Sequence, residues 1–232
     1  MEKFKKLFSD FCTNDIDKTL QSFEQYYNEL VDYNQKVNLT AITEKEEVFI
    51  KHFYDSGLSI NEIPLNAKIV DVGTGAGFPG VPIKILRPDT DLHLVDSLNK
   101  RITFLNYLKE KLNINYSTYH SRAEDFCADN QHREQFDVCV SRAVAKLNTL
   151  SEYCLPLVKV GGIFIAYKSG DIEQEIAESK NAINILGAEI IDIKKINLPN
   201  DMGNRSLIII KKIKNTNNKY PRNKNLPKLK PL

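Results

Sequence analysis

Asp71-Val72-Gly73-Thr74-Gly75-Ala76-Gly77-Phe78-Pro79-Gly80 is the stretch that decides the fold. It grows out of a short β-branched run, Lys68 to Val72, and runs into a helical segment, Val81 to Leu86. Glycines let a backbone turn tightly and let a ligand approach it closely. The helix that follows presents unpaired backbone N–H groups at its start. The next strand, Leu92-His93-Leu94-Val95-Asp96, ends in a carboxylate. That carboxylate is expected at the carboxyl edge of the sheet, where ligands of open α/β sheets bind.

Two cofactors compete for this loop. Gly75-x-Gly77-x-x-Gly80, with Asp96 about 20 residues on, satisfies the dinucleotide fingerprint. The glycines, however, begin directly after the strand, as Asp71-x-Gly73-x-Gly75-x-Gly77, which is the usual S-adenosylmethionine loop. In that reading Asp71 lies near the cationic end of the cofactor and Asp96 accepts hydrogen bonds from its ribose hydroxyls. The second reading is preferred; NAD(P) and a purely structural glycine turn are the alternatives.

Outward from the loop, strands are expected near 116–119, at 136–140 and at 162–167, with helices at 98–113, 144–157 and 172–186. Strand–helix alternation implies right-handed βαβ units and a mostly parallel sheet. The end of the chain differs. Ala188 to Ile196 and Arg205 to Ile213 read as strands joined by a loop too short for a helical crossover, so they should pair antiparallel. Residues from about 15 to 60 carry no strand signal. Leu20, Phe23, Tyr27, Leu30 and Val31 recur at helical spacing, Asn38-Leu39-Thr40 interrupts, and Thr43 with Glu46 forms a capping box for a further helix. The expected division is a helical extension over 1–63, a Rossmann-like domain over 64–213 and a basic tail over 214–232.

Hydrophobic residues make up 42% of the 232 positions and charged residues 27%, which suits a globular α/β domain with a core. The apolar runs are far shorter than the roughly 20 residues of a membrane helix, and the N-terminus lacks a signal-peptide pattern. A cytoplasmic protein is the simplest reading. Cys12, Cys127, Cys139 and Cys154 are dispersed and have no metal-ligand spacing, so no metal is expected and the thiols read as reduced and mostly buried. The net charge is +2, yet Lys211 to Leu232 holds eight basic and no acidic residues, leaving −6 on the rest. Such a tail suits a polyanionic partner, or is simply a solvated basic end.

The acceptor chemistry is read from Ser141-Arg142-Ala143 after the fourth strand. The Asn/Asp-Pro-Pro-aromatic signature of exocyclic-amine methylation is missing. Cys139 reads as core rather than as a thiolate nucleophile. An acceptor with its own lone pair, such as guanine nitrogen 7, needs alignment rather than a base. Arg142 is the candidate catalytic residue, holding the guanine, the RNA backbone or the cofactor; its plainer reading is a salt bridge at the sheet edge. Ser121-Arg122-Ala123-Glu124-Asp125, after the third strand, stands where methyltransferases meet the adenine ring, and Glu124 is either a site residue or a surface charge.

Together these pieces resemble the RsmG (GidB) family, ribosomal RNA small subunit methyltransferase G. The resemblance rests on Asn38-Leu39-Thr40-Ala41-Ile42, His52-Phe53-Tyr54-Asp55-Ser56, the glycine loop, Val95-Asp96-Ser97-Leu98-Asn99-Lys100-Arg101, Arg122-Ala123-Glu124, Ser141 to Ala145, Lys168, and Tyr220-Pro221-Arg222 with Pro231-Leu232. Tyr33, Gly57, Ser169 and the Arg222-Asn223-Lys224-Asn225 segment depart from the family pattern. The resemblance implies a class I methyltransferase fold with a seven-stranded sheet. It implies methyl transfer from S-adenosylmethionine to nitrogen 7 of a guanine at position 527, in the 530 loop of 16S ribosomal RNA. It implies cofactor contacts from Gly73, Phe78, Ala123, Glu124 and Arg142, to which the loop argument adds Gly75, Gly77 and Asp96. Lys51, Arg101, Lys168, Arg205 and Arg222 are candidates for RNA phosphate contact. The expected partner is 16S RNA or the small ribosomal subunit, met by a monomer. A dinucleotide-dependent oxidoreductase and a non-catalytic RNA-binding protein are the competing classes.

Overall fold

The computed structural model describes residues 2–12, 15–142, 145–170, 172–223 and 225–232. Ala143 and Val144 of the Ser141 to Ala145 element, and Lys224 of the tail, lie outside the described residues. The chain opens with helices α1 (Glu2–Phe8), α2 (Ile16–Val37) and α3 (Lys45–Glu47), a π-helical stretch (Val48–Tyr54) and α4 (Asp55–Gly57). Then follow β1 (Lys68–Val72), α5 (Gly80–Leu86), β2 (Asp91–Asp96), α6 (Asn99–Leu112), β3 (Ser117–His120), α7 (Ala123–Ala128) and β4 (Phe136–Arg142). The last part holds α8 (Leu147–Cys154), β5 (Val158–Lys168), α9 (Glu173–Ile185), β6 (Ala188–Asn197), β7 (Asn204–Lys212) and α10 (Leu226–Leu229).

The strands form one seven-stranded sheet in the order β3-β2-β1-β4-β5-β7-β6. Strands β1 to β5 pair parallel. β7 runs antiparallel between β5 and β6, as the short 197–204 connection requires. Winding reverses at β1, whose neighbours are β2 and β4, so the crevice of an open α/β sheet falls at its carboxyl end.

Both faces of the sheet are covered, so its strands read as apolar runs with a two-residue alternation. Ile69, Val138, Val140 and Ile165 point into one core with α1, α2, the π stretch, α5 and α6. Val70, Cys139, Phe164 and Ala166 point into the other, with α7, α8 and α9. The four thiols are free, and all but Cys12 are buried. The first core is aromatic at its centre. Phe23 and Phe53 stack with centroids 4.8 Å apart, and Tyr26 stacks on Phe78 at 5.4 Å. Phe53 is fully buried, and its replacement by Ala would cost about 3–5 kcal/mol. This packing fixes the N-terminal helices against the glycine loop.

Helix α2 begins where Asp15 accepts from the Asp17 and Lys18 amides and ends at Asn38, which takes the left-handed conformation (φ 48°). The expected capping box is displaced by one residue. Glu44, not Thr43, caps the next helix, its carboxylate accepting from the Glu47 amide. Glu44 meets the amide three residues on, Glu47, just as a Thr43 hydroxyl would have met that of Glu46. Helix α7 was not anticipated; six residues are too few to show a helical period.

Candidate active site

The glycine loop is tied to β2 rather than hanging free. The Gly73 and Thr74 amides donate to the Val95 carbonyl at 2.8 and 3.1 Å, and the Gly75 amide donates to Asp96 Oδ2 at 2.9 Å. Gly75 has φ +62°, and a Cβ built on it would meet nothing within 4 Å, because it faces an open cavity. Gly77 does not. Its φ is +104° and an added Cβ would stand 2.6 Å from the Tyr26 hydroxyl, which donates to the Ala76 carbonyl. Gly77, expected at the cofactor, instead allows the loop to close on α2.

Asp71 also departs from its expected place. It is fully buried beneath the loop. Its Oδ2 accepts from the Thr74 hydroxyl at 2.7 Å and the Gly80 amide at 2.9 Å, while Oδ1 has no partner among the described residues. Burial pushes its carboxyl up to about 7 against the pull of those two hydrogen bonds. Its work is to hold the loop and the start of α5 together.

Above the loop lies a cavity of about 680 Å³. Gly73, Gly75, Phe78, Asp96, Ala123, Glu124 and Arg142 all line it, as does Arg101. Asp96 is 2% exposed. The Gly75 and Leu98 amides hold its two oxygens at 2.9 Å each, and Arg101 Nη1 reaches Oδ2 at 3.1 Å. Arg101 Nε is buried in the same wall without a partner among the described residues. Glu124 is 6% exposed at the start of α7, so it is no surface charge. Thr40, Tyr153 and Asn225 also stand in the wall. Thr40 is presented by the Asn38-Leu39-Thr40 turn, which Asn34 holds by accepting from the Leu39 and Thr40 amides. Tyr153 and Asn225 had no sequence signal, since α8 and the tail reach the cavity only through tertiary packing.

Arg142 ends β4 and stands in the wall of two cavities, the one above and a second of about 310 Å³. The second is lined also by Tyr167, Lys168 and Arg205. The N-terminal helices anchor Arg142 from three sides. Its Nη1 donates to the Lys51 carbonyl at 3.1 Å and to Asp55 Oδ2 at 2.9 Å, and Nη2 lies 3.2 Å from His52 Nδ1. A guanidinium can only donate, so Nδ1 accepts and Nε2–H faces the Thr40 hydroxyl at 3.2 Å. Burial, and after it the Arg142 charge, lower His52 to about 3, so the imidazole is neutral. The His52 ring stacks on Phe78 at 4.4 Å, and the Arg142 guanidinium sits 5.0 Å over the same ring. Arg142 thus makes a salt bridge with Asp55 and also stands in the wall of both cavities.

Each of the five cations expected on RNA phosphates already has a carboxylate partner: Lys51 with Glu47, Arg101 with Asp96, Lys168 with Glu175, Arg205 with Asp55, and Arg222 with Glu152. Lys168 is 9% exposed and also donates to the Ala145 carbonyl at 2.5 Å. Arg222 grips the fully buried Glu152 through Nε and Nη2, at 2.9 and 2.7 Å. Arg222 thus clasps the tail onto α8. A buried carboxylate on α8 captures the guanidinium because it has no water to pair with. Cys139 is fully buried and its thiol is held well above its ordinary value, which keeps it in the core and out of nucleophilic chemistry.

The profile of the family described as GidB, rRNA small subunit methyltransferase G, matches residues 19–207. The chain belongs to the GidB family. Relatives named ribosomal RNA small subunit methyltransferase G agree with that along nearly the whole length. The protein of Desulforamulus reducens is 51% identical over 91% of this chain and 89% of its own. That of Oceanobacillus iheyensis is 45% identical over 100% and 98%. Among solved structures, the ribosomal protein L11 methylase of Lactobacillus delbrueckii superposes with a TM-score of 0.55 at 17% identity, covering 71% of this chain and 79% of that one. M. jannaschii TYW2 in complex with AdoMet gives 0.56 at 13%, covering 73% and 77%. These two show the class I methyltransferase fold.

Proposed function

We propose that this protein transfers a methyl group from S-adenosylmethionine to nitrogen 7 of a guanine in 16S ribosomal RNA, at position 527 of the 530 loop. It acts as a monomer in the cytoplasm. The observation that carries the reading is the pair of cavities meeting at Arg142, one suited to a nucleoside and one to the acceptor base.

The first cavity fits the cofactor by its donor set. Asp96 offers carboxylate oxygens at the end of β2, where ribose hydroxyls would donate, and Arg101 would share or yield its place there. Arg101 Nε, buried and unpartnered, is a donor waiting for an acceptor. The open face of Gly75 leaves the backbone bare for close approach. Ala123 and Glu124 line the same cavity, and adenine would meet them there. When bound, the cofactor supplies a methyl group on a cationic sulfur.

On the acceptor side, the chain needs no base. Nitrogen 7 of guanine attacks with its own lone pair and loses no proton, so alignment is the main demand. Neutral His52 and the paired Arg142 fit that demand, for neither is poised to take a proton. The exposed tail lysines Lys214, Lys219, Lys228 and Lys230 supply the phosphate-facing charge that the five paired cations do not.

Mapping of methylated nucleotides in 16S RNA from cells with and without this protein tests the reading. One guanine N7 methyl should vanish with the gene and return with it. A methyl lost instead from a protein or from another RNA atom would overturn it.

A further inference from the structure

Asp55 lies outside both cavities and is completely buried, yet it holds the two arginines that line the second one. Its Oδ2 accepts from Arg142 Nη1 at 2.9 Å and its Oδ1 from Arg205 Nε at 2.6 Å. Arg142 comes from the end of β4 and Arg205 from the start of β7, while Asp55 opens α4. One carboxylate from the N-terminal helices thus bridges two strands of the sheet. Arg205 meets Asp55 through Nε, and its side chain lines the second cavity. Among the described residues, Arg142 Nε and one Nη2 hydrogen have no acceptor.

We infer that Asp55 is a positioning residue for the acceptor base: it fixes both guanidinium planes and cancels one of their two charges where the guanine is methylated. This rests on the guanine N7 reading above. The charge argument follows from the bonds made and broken. The nitrogen 7 lone pair forms the new N–C bond, the S–C electron pair returns to sulfur, and the positive charge passes from the sulfur to the guanine ring. Any surplus positive charge beside the ring opposes that passage, most strongly in a site that excludes water. With Asp55 in place, Arg142 and Arg205 carry a net of one charge; without it they carry two.

The prediction is a split between kcat and KM. Asp55→Asn should lower kcat at least tenfold, while the KM for 16S RNA changes less than threefold, because added positive charge does not weaken RNA binding. In an Arg205→Gln background, which restores the charge balance, the same change should cost at least threefold less. Should Asp55→Asn fail to fold, judged by thermal unfolding, Asp55→Glu replaces it; the charge stays but the carboxylate moves by a methylene, and kcat should still fall. Equal costs in both backgrounds, or unchanged kcat in the folded variant, would overturn the inference. Nuclease digestion and mass spectrometry of the RNA run alongside: wild-type protein that leaves no N7-methylguanine sinks the functional reading instead, so the two failures are distinguishable.

Discussion

The Gly75 amide donates to Asp96 Oδ2 at 2.9 Å, fastening the loop after β1 to the last residue of β2. One carboxylate therefore shapes the loop and faces the cavity that the loop encloses. Asp96→Ala removes it and leaves the Gly75 and Leu98 amides without their acceptor. A hydrogen bond to a charged group contributes about 1.5–3 kcal/mol, so S-adenosylmethionine affinity should fall roughly 10- to 150-fold. Titration calorimetry reads this directly. Unchanged affinity would remove Asp96 from the ribose site.

Asp71 makes stability depend on pH in an unusual direction for a carboxylate. Burial raises it to about 7 from an ordinary 3.8. The folded state therefore holds its proton through a range where the unfolded chain has lost it. This contribution is complete below about pH 4 and is lost as pH rises to about 7, at up to about 1.4 kcal/mol per pH unit. Asp71→Asn should flatten the curve between pH 4 and 7 relative to wild type. Denaturant unfolding at four or five pH values measures it, and parallel curves for the two proteins would refute the assignment.

The sequence made the parallel sheet, its antiparallel end and most of the cavity legible for a physical reason: those features are local. A glycine loop, a strand-terminal Asp and a short strand connection each announce themselves within a dozen residues. Glu124 and Arg142 were reached the same way, by position after a strand. What stayed hidden is set by partners far along the chain. Gly77 faces Tyr26, some fifty residues earlier, and no motif shows that the hydroxyl is there. The partners of the cations were hidden too, because charge counting cannot see that Arg222 has Glu152 and Arg205 has Asp55. The π-helical turn over Val48–Tyr54, which presents the Lys51 carbonyl and His52 to Arg142, has no sequence period of its own to read.

Arg222→Ala tests the tail as a strap. Glu152 would be left fully buried with its main cation gone. Breaking a buried pair from one side costs about 3–5 kcal/mol, and about half of that is expected here because Arg222 keeps a fifth of its side chain in solvent. The tail also brings Asn225 to the cofactor cavity, where its side chain accepts from Arg122 at 3.3 Å. The variant should therefore lose both thermal stability and cofactor affinity. Glu152→Gln/Arg222→Gln, with no buried charge left unpaired, should recover most of the stability. A melting temperature unmoved by Arg222→Ala would show the clasp to be unimportant.

The last prediction separates clasp from phosphate contact. Lys214, Lys219, Lys228 and Lys230 are exposed, whereas Arg222 is committed to Glu152. Each lysine that neutralises a phosphate adds about 0.7 to the slope of log affinity against log salt on single-stranded RNA. Changing all four to Ser should reduce that slope by roughly 3 and weaken RNA binding most at low salt. Arg222→Ala should leave the slope nearly intact, since the charge it removes is already committed to Glu152. Filter binding of a 16S RNA fragment across a salt series reads both. If the quadruple variant kept the wild-type slope while Arg222→Ala lost one unit of it, the phosphate-facing role would pass back to Arg222 and the tail lysines would be solvated charges alone.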